Sequence, residues 1–260
     1  MSASISVRGL TKFFGPLEAL RLIDLDVAAG EIVTVLGGSG SGKTTLLRLI
    51  AGLDEPSAGD VAIDGESPDR ARADKRVGFV PQSPALLPWR TVAANTRLLL
   101  DVNRNAPNRD VRSADILLAQ VGLADFADAY PHELSGGMQQ RVSLVRAMVL
   151  GAPLLLMDEP FAALDEITRM DMRHLLAALC ESMPTTVVFV THSVPEAVFL
   201  SDRVVVLSNR PGRVVGIESI TFARPRRPEV EDDPAFFAAT TRLRAMLREG
   251  AAEPNTVRRP

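Results

Sequence analysis

At 260 residues the chain is long enough for one large domain, or for one domain carrying an inserted subdomain. Apolar residues make up 46% and charged residues 23%, a globular balance, and a net charge of −3 supplies no electrostatic footprint for a nucleic-acid partner. A single cysteine excludes an internal disulfide, and no run approaches the length of apolar chain that spans a bilayer.

Met1 to Ile5 lacks a charged segment followed by an apolar one, so the expectation is a cytoplasmic protein without a secretory leader. Ser4 to Arg8 and Ile23 to Val27 alternate in the manner of half-buried strands, and Ala28-Ala29-Gly30 turns the chain. Ile32 to Leu36 is an apolar run that reads as a buried strand, and Thr44 to Ala51 reads as a helix. Between them Gly37-Gly38-Ser39-Gly40-Ser41-Gly42-Lys43-Thr44 fits G-x-x-x-x-G-K-[ST]. Glycines let that backbone take positive φ and approach an anion closely, and the following helix N-terminus favours negative charge. Lys43 can then reach β- and γ-phosphates, and the Thr44 hydroxyl can ligate Mg²⁺.

Val61 to Ile63, ending in Asp64-Gly65, and Val77 to Val80 are further short strands, and Gln82 follows the second. From Pro84 to Ala147 the pattern is helical, with helices expected over Val92–Val102, Val111–Val121 and from near Ser135. Leu154 to Met157 and Val187 to Val190 return to buried parallel strands, each followed by polar residues on the edge where such sheets hold their ligands. Asp158 ends the first and can hold Mg²⁺ through water; Glu159 can orient and deprotonate an attacking water. His192 ends the second, within reach of a γ-phosphate, and Gln82 is placed to touch Mg²⁺ or the nucleophilic water. Cys180 lies in the apolar helical stretch Leu175 to Leu179 and reads as a buried structural thiol.

Beyond Arg224 the chain is rich in Pro and Arg, then enters a last helix capped by Asp233, with Pro234 at its first position and Gly250 as its stop. Phe236, Leu243 and Leu247 fall near one face of it, and Glu253 to Pro260 are expected to fray. The expected fold class is α/β: a P-loop NTPase core with a mainly parallel sheet, an antiparallel β edge and an inserted helical subdomain. The expected divisions are 1–83 and 148–224 for the two parts of the core, 84–147 for the helical insert and 225–260 for the C-terminal extension.

Leu134-Ser135-Gly136-Gly137-Met138-Gln139-Gln140-Arg141 opens a helix with a second anion-binding turn. With the P-loop, Gln82, Asp158-Glu159 and His192 in this order, the chain over residues 4–220 resembles the nucleotide-binding subunit of an ATP-binding cassette (ABC) transporter. The resemblance implies ATP and Mg²⁺ as ligands, with Gly37, Gly38, Ser39, Gly40, Ser41, Gly42, Lys43, Thr44 and Thr45 around the phosphates. It implies Thr44, Gln82 and Asp158 at the metal, Glu159, His192 and Gln82 at the reacting phosphate, and Phe14 on the adenine, with Phe13 as the second choice. It also implies a head-to-tail dimer in which Ser135, Gly136 and Gly137 meet the ATP of the other subunit, and in which Asp165 links the two sites. Met138 stands where the family often has Gln, Ala162 where it often has Ser, and Phe14 where Tyr is common; none removes a group the chemistry needs.

The apolar segment Ser83 to Val92, with the only Trp, corresponds to the surface where a membrane permease docks in that family. Leu87 to Val92 and Ser208 to Val215 look like the importer branch that serves nitrate, sulfonate and taurine, a branch that also takes up other small molecules. Arg210-Pro211-Gly212-Arg213 within the second segment reads structurally as a hairpin turn with solvated arginines. The implied protein is peripheral on the cytoplasmic face of the plasma membrane, works with a permease and a separate solute-binding protein, and binds no nucleic acid. Alternatives are an exporter ATPase, or a soluble ABC ATPase in translation or DNA maintenance, which usually carries two cassettes or a long coiled coil.

Overall fold

The computed structural model describes residues 2–103, 113–183 and 185–252. The chain enters through β1 (Ile5–Phe14) and β2 (Leu17–Val27), an antiparallel pair, and crosses into β3 (Ile32–Leu36) and α1 (Lys43–Ile50). It then lays β4 (Ala58–Ile63) against the other side of β1, completing a three-stranded antiparallel sheet. After α2 (Pro68–Ala73) and β5 (Val77–Val80) come, among the described residues, the α-helices α3 (Val92–Thr96), α4 (Leu98–Val102), α5 (Ala114–Gln120) and α6 (Gly136–Met148). The remainder alternates: β6 (Leu154–Asp158), α7 (Glu166–Glu181), β7 (Thr186–Thr191), α8 (Val194–Leu200), β8 (Arg203–Leu207), β9 (Val214–Ser219) and α9 (Pro234–Ala252). The six-stranded sheet runs β5-β6-β7-β3-β8-β9, parallel throughout except for the antiparallel β8–β9 hairpin at its edge.

Every residue of β3, β6 and β7 is buried, which is why these strands read as unbroken apolar runs instead of alternating ones. Their side chains still divide by the two-residue period of a strand. Val33, Val35, Leu154, Leu156, Val188 and Val190 join a core with α1 and the antiparallel sheet. Leu155, Met157, Val187 and Phe189 face the opposite way, into a second core with α6, α7, α8 and α9. The fold is thus an α/β core with a mainly parallel sheet, an antiparallel β layer and a run of helices between β5 and β6.

Several boundaries differ from expectation for identifiable reasons. β1 and β2 continue past Arg8 and begin before Ile23, because positive φ at Gly9 and Leu22 and shifts in register break the alternation without breaking the pairing. The helix expected over Val92–Val102 is two short helices, broken at Arg97, where ψ is −4°. Just before the break Thr96 Oγ1 donates to the Ala93 carbonyl, and Asn95 Nδ2 donates to the carbonyls of Leu87, Arg90 and Thr91, bonds that compete with a continuing helix. The helix expected over Val111–Val121 is seen from Ala114 after an N-cap at Ser113; Val111 lies outside the described residues, as do Glu253 to Pro260.

Gly250 does not stop α9, which runs to Ala252. It is a close-approach glycine: a Cβ there would lie 2.8 Å from Val215 Cγ2 and 3.0 Å from Ser208 Cα. At the other end Asp233 caps as expected, its Oδ1 accepting from Ala235 N at 2.7 Å, and Phe236 and Leu243 are buried on the face that Leu247 borders.

Candidate nucleotide-binding site

The loop after β3 turns through positive φ at Gly40 and Gly42 (78° and 89°) before α1 begins. A Cβ on Gly42 would sit 2.6 Å from Leu20 Cδ2, and one on Gly37 would sit 2.6 Å from Ser41 Oγ, so the turn closes only on glycine at these points. No side chain caps α1 and no acid stands in its first turn, leaving its N-terminal N–H groups to an anion.

Lys43 is 4% exposed and its ammonium is fully occupied within the loop's surroundings. Nζ donates to the carbonyls of Gly37 and Gly38 at 2.9 Å each and lies 3.3 Å from Glu159 Oε1. Next to it Thr44 Oγ1 donates to Asp158 Oδ1 at 2.9 Å, joining the start of α1 to the end of β6. Burial pushes the Asp158 carboxyl above its ordinary range; the Thr44 bond and Lys43 pull the other way, and Glu159 adds to the rise.

Glu159 adopts φ 40°, rare for a residue with a side chain, and its N–H donates to the Val190 carbonyl of β7 at 3.0 Å. That backbone bond turns the carboxylate toward Lys43 on one side and His192 on the other, where Nδ1 and Oε2 are 3.0 Å apart. The three strand ends β3, β6 and β7 therefore bring Lys43, Thr44, Asp158, Glu159 and His192 to one edge of the sheet.

A cleft of about 330 Å³ opens there. Phe14, Ser39, Gly40, Gly42, Lys43, Thr44, Thr45, Gln82 and Glu159 line it, as do Leu17, Ala19 and Arg210, for which the sequence carried no expectation at this site. Phe14 is 47% exposed at the rim with Lys12 Nζ 5.0 Å from its ring centroid; Phe13 is equally exposed but does not line the cleft, which favours Phe14 of the two. Gly37, Gly38 and Ser41 shape the loop from behind, with Ser41 fully buried. His192 borders a small recess beside Glu159 together with Arg169, Thr191 and Glu196. Among the described residues no group of three or more His, Cys, Asp or Glu can cage a metal. Thr44 and Asp158 offer hard oxygen donors next to the loop, which suits Mg²⁺ held largely by phosphates and water.

Ser135, Gly136, Gly137 and Asp165 do not line this cleft. Ser135 caps α6, accepting from Met138 N at 3.3 Å, and Asp165 caps α7, accepting from Thr168 N at 3.0 Å. The backbone N–H of Thr168 holds the Asp165 carboxyl below its ordinary range. A Cβ on Gly137 would lie 2.6 Å from Thr168 Cγ2, so the two capped N-termini stand side by side. Arg169 fixes the turn before α7, donating to the carbonyls of Leu164 (2.7 Å) and Phe161 (3.3 Å). Its Nε lies 3.9 Å from buried Glu196, whose other oxygen accepts from Thr191 Oγ1 beside His192. Neither Arg169 nor Glu196 stands out in the sequence, since their importance comes from packing between elements.

The ABC transporter family model matches residues 20–162. The chain is 48% identical over 233 residues to the aliphatic sulfonates import ATP-binding protein SsuB of Mycobacterium sp. (strain MCS), covering 89% of this chain and 91% of that one. It is 42% identical over 239 residues to the nitrate import ATP-binding protein NrtC of Synechococcus elongatus, covering 90% of this chain and 36% of that longer one. Among solved structures it superposes on a dimeric ATP-binding cassette in a post-hydrolysis state, bound to ADP and Pi, with a TM-score of 0.72 and 33% identity, covering 84% of this chain and all of that one. With its sheet edge, phosphate loop and strand-end carboxylates arranged as described, the chain belongs to the ABC transporter family of ATP-binding cassettes.

Proposed function

We propose that this chain is the ATP-hydrolysing subunit of an importer for a small solute, working as a head-to-tail pair against a membrane permease. The observation that carries the chemistry is Glu159, held at positive φ between Lys43 and His192 at the mouth of the phosphate loop. Gly37 to Thr45 and the α1 N-terminus hold the triphosphate, Phe14 stacks on the adenine, and His192 donates to the γ-phosphate. Thr44, Gln82 and Asp158 would hold Mg²⁺, Asp158 through water, and the ion would screen the phosphate charge. Glu159 takes the proton of the water that attacks the γ-phosphorus; the new P–O bond forms as the bond to the ADP oxygen breaks. Gln82 helps orient that water.

Ser135, Gly136, Gly137 and Asp165 serve the cleft of the second copy, which is why they stand apart from their own. In the same reading the core comprises 1–83 and 148–224, the helical insert 84–147 and the C-terminal extension 225–260. The segment from Gln82 to Val92 receives the permease. Trp89 is 72% exposed there, while Leu86 and Leu87 are half-buried and belong to the platform beneath it. Arg146 of α6 donates to the carbonyls of Pro84 and Ala85, a rigid link from the helix opened by Ser135 to that segment. No helix among the described residues is long and apolar enough to cross a membrane; in this reading the permease holds the chain at the membrane. The sulfonate and nitrate import ATP-binding proteins among the relatives support a small anion as the solute, and a separate solute-binding protein would deliver it.

The test is Glu159→Gln, followed by phosphate release at saturating Mg²⁺-ATP and by sedimentation. Turnover is expected to fall about 10²-fold or more while an ATP-bound dimer accumulates. Near-normal turnover in that variant overturns the assignment of the base.

A further inference from the structure

We propose that Arg210 is a second cationic contact for the triphosphate, presented to the cleft by a loop that the fold braces against the phosphate loop. This rests on the cleft being the ATP site. Arg210 is exposed, lines the cleft with Lys43, and makes no hydrogen bond or ion pair with any described residue. Its Nη2 comes within 3.4 Å of where a Cβ of Gly40 would lie, at the tip of the phosphate loop.

The loop 208–213 that carries it is not a free hairpin turn. Gly212 N donates to the Ala19 carbonyl at 2.9 Å, and Arg21 N donates to the Gly212 carbonyl at 3.0 Å, pinning the loop to β2. A Cβ on Gly212 would fall 2.1 Å from the Ser41 carbonyl, so the loop backbone lies directly on the phosphate loop. Ser208 Oγ donates toward the Pro211 carbonyl at 2.9 Å and accepts from Arg213 N at 3.0 Å, closing the turn on itself. Asn209 N donates to the Gly250 carbonyl at 3.1 Å, which ties the loop to the end of α9. The outcome is a guanidinium on a held backbone, facing the same cavity as Lys43.

Among the described side chains lining the cleft, Lys43 and Arg210 are the only cations. Lys43 is buried and already engaged by two carbonyls and Glu159, whereas Arg210 is unengaged. A guanidinium matches phosphate oxygens in a two-pronged geometry that a point-charge ammonium does not, and its hydrogen bonds are charge-assisted.

The experiment compares wild type, Arg210→Ala, Arg210→Lys and Lys43→Ala by equilibrium titration with ATP and Mg²⁺, and with adenosine as a probe lacking phosphate. Arg210→Ala is expected to weaken ATP about tenfold, raising KM more than it lowers kcat, while adenosine binding stays unchanged and Arg210→Lys recovers part of the loss. ATP affinity within about twofold of wild type in Arg210→Ala, or an equal loss for adenosine, overturns the proposal. If Lys43→Ala also leaves ATP affinity intact, the failure lies with the cleft as the ATP site and not with Arg210 alone. Because Arg210 is exposed, its variants are expected to keep the wild-type urea midpoint, which separates lost contact from lost fold.

Discussion

Gly250→Ala tests whether the end of α9 is packed onto the loop 208–213 and its flanking strands as tightly as the geometry requires. At an open helical position this change stabilises by about 1 kcal/mol, because glycine has more conformational freedom to lose. Here the new methyl meets Val215 Cγ2 at 2.8 Å, Ser208 Cα at 3.0 Å and the Leu207 carbonyl at 3.6 Å. Two of those neighbours are backbone and cannot rotate away, and overpacking of this kind costs about 1–3 kcal/mol. The balance is a net loss of up to about 2 kcal/mol, opposite in sign to the propensity effect. The assay is urea unfolding without nucleotide, for Gly250→Ala alone and combined with Val215→Ala. The second change removes the closest contact and should restore part, not all, of the loss. Since Gly250 accepts from Asn209 next to Arg210, ATP affinity should fall along with stability. A variant stabilised by about 1 kcal/mol would refute the close-approach reading and the brace built on it.

Three further outcomes follow from the same geometry. Asp158 has its carboxyl raised above 3.8 by burial, so its contribution to stability is complete below that pH and is lost as pH rises through the folded value. Metal-free Asp158→Asn should therefore melt higher than wild type near neutral pH, with the gap closing toward pH 3.8, while Mg²⁺-ATP should stabilise it less; a gap independent of pH contradicts this. Trp89→Ala should change the unfolding free energy in urea by less than about 0.5 kcal/mol, because the ring is exposed, yet reduce recovery of a multi-span permease from solubilised membranes. Cys180 is buried and its thiol is pushed up to about 12, so an aromatic disulfide reagent should leave it unmodified in the native chain and modify it in urea; reaction in the native state contradicts the packing.

The site was legible wherever it depends on spacing within one segment. The glycines of 37–42, with Lys43 and Thr44, announce a phosphate loop because the chemistry and the turn are both local. Asp158 and His192 were legible because a polar residue that interrupts or follows an apolar run marks the end of a buried strand. What stayed hidden depends on elements far apart in sequence. Arg210 is a residue of a hairpin until the pairing of Gly212 with Ala19 and Arg21 brings it over the phosphate loop. Gly250 has the right type and place for a helix stop, and only the nearness of β9 and Ser208 reveals the other use of a glycine. The split at Arg97 was invisible because Asn95 serves the loop of Leu87 and Arg90 instead of the helix, a choice that no local propensity expresses.

The contacts of Lys43 also bear on how binding is coupled to chemistry. An ammonium has three hydrogens to give, and Lys43 directs its own at Gly37, Gly38 and Glu159. A phosphate that takes Lys43 must displace one of them. The two carbonyls belong to the loop that has to keep its shape, whereas the Glu159 pair is the longest of the three and partly open to solvent, so it is the contact most easily surrendered. Giving it up leaves Glu159 without its cation, still turned toward the cleft by the bond from its N–H to Val190 and still in contact with His192. In the proposed mechanism a carboxylate freed in that way accepts the proton of the attacking water. Under the proposed role of Glu159 as the base, Lys43 would thus also restrain that base until a phosphate takes the lysine, with Glu159 held at φ 40° between its partners.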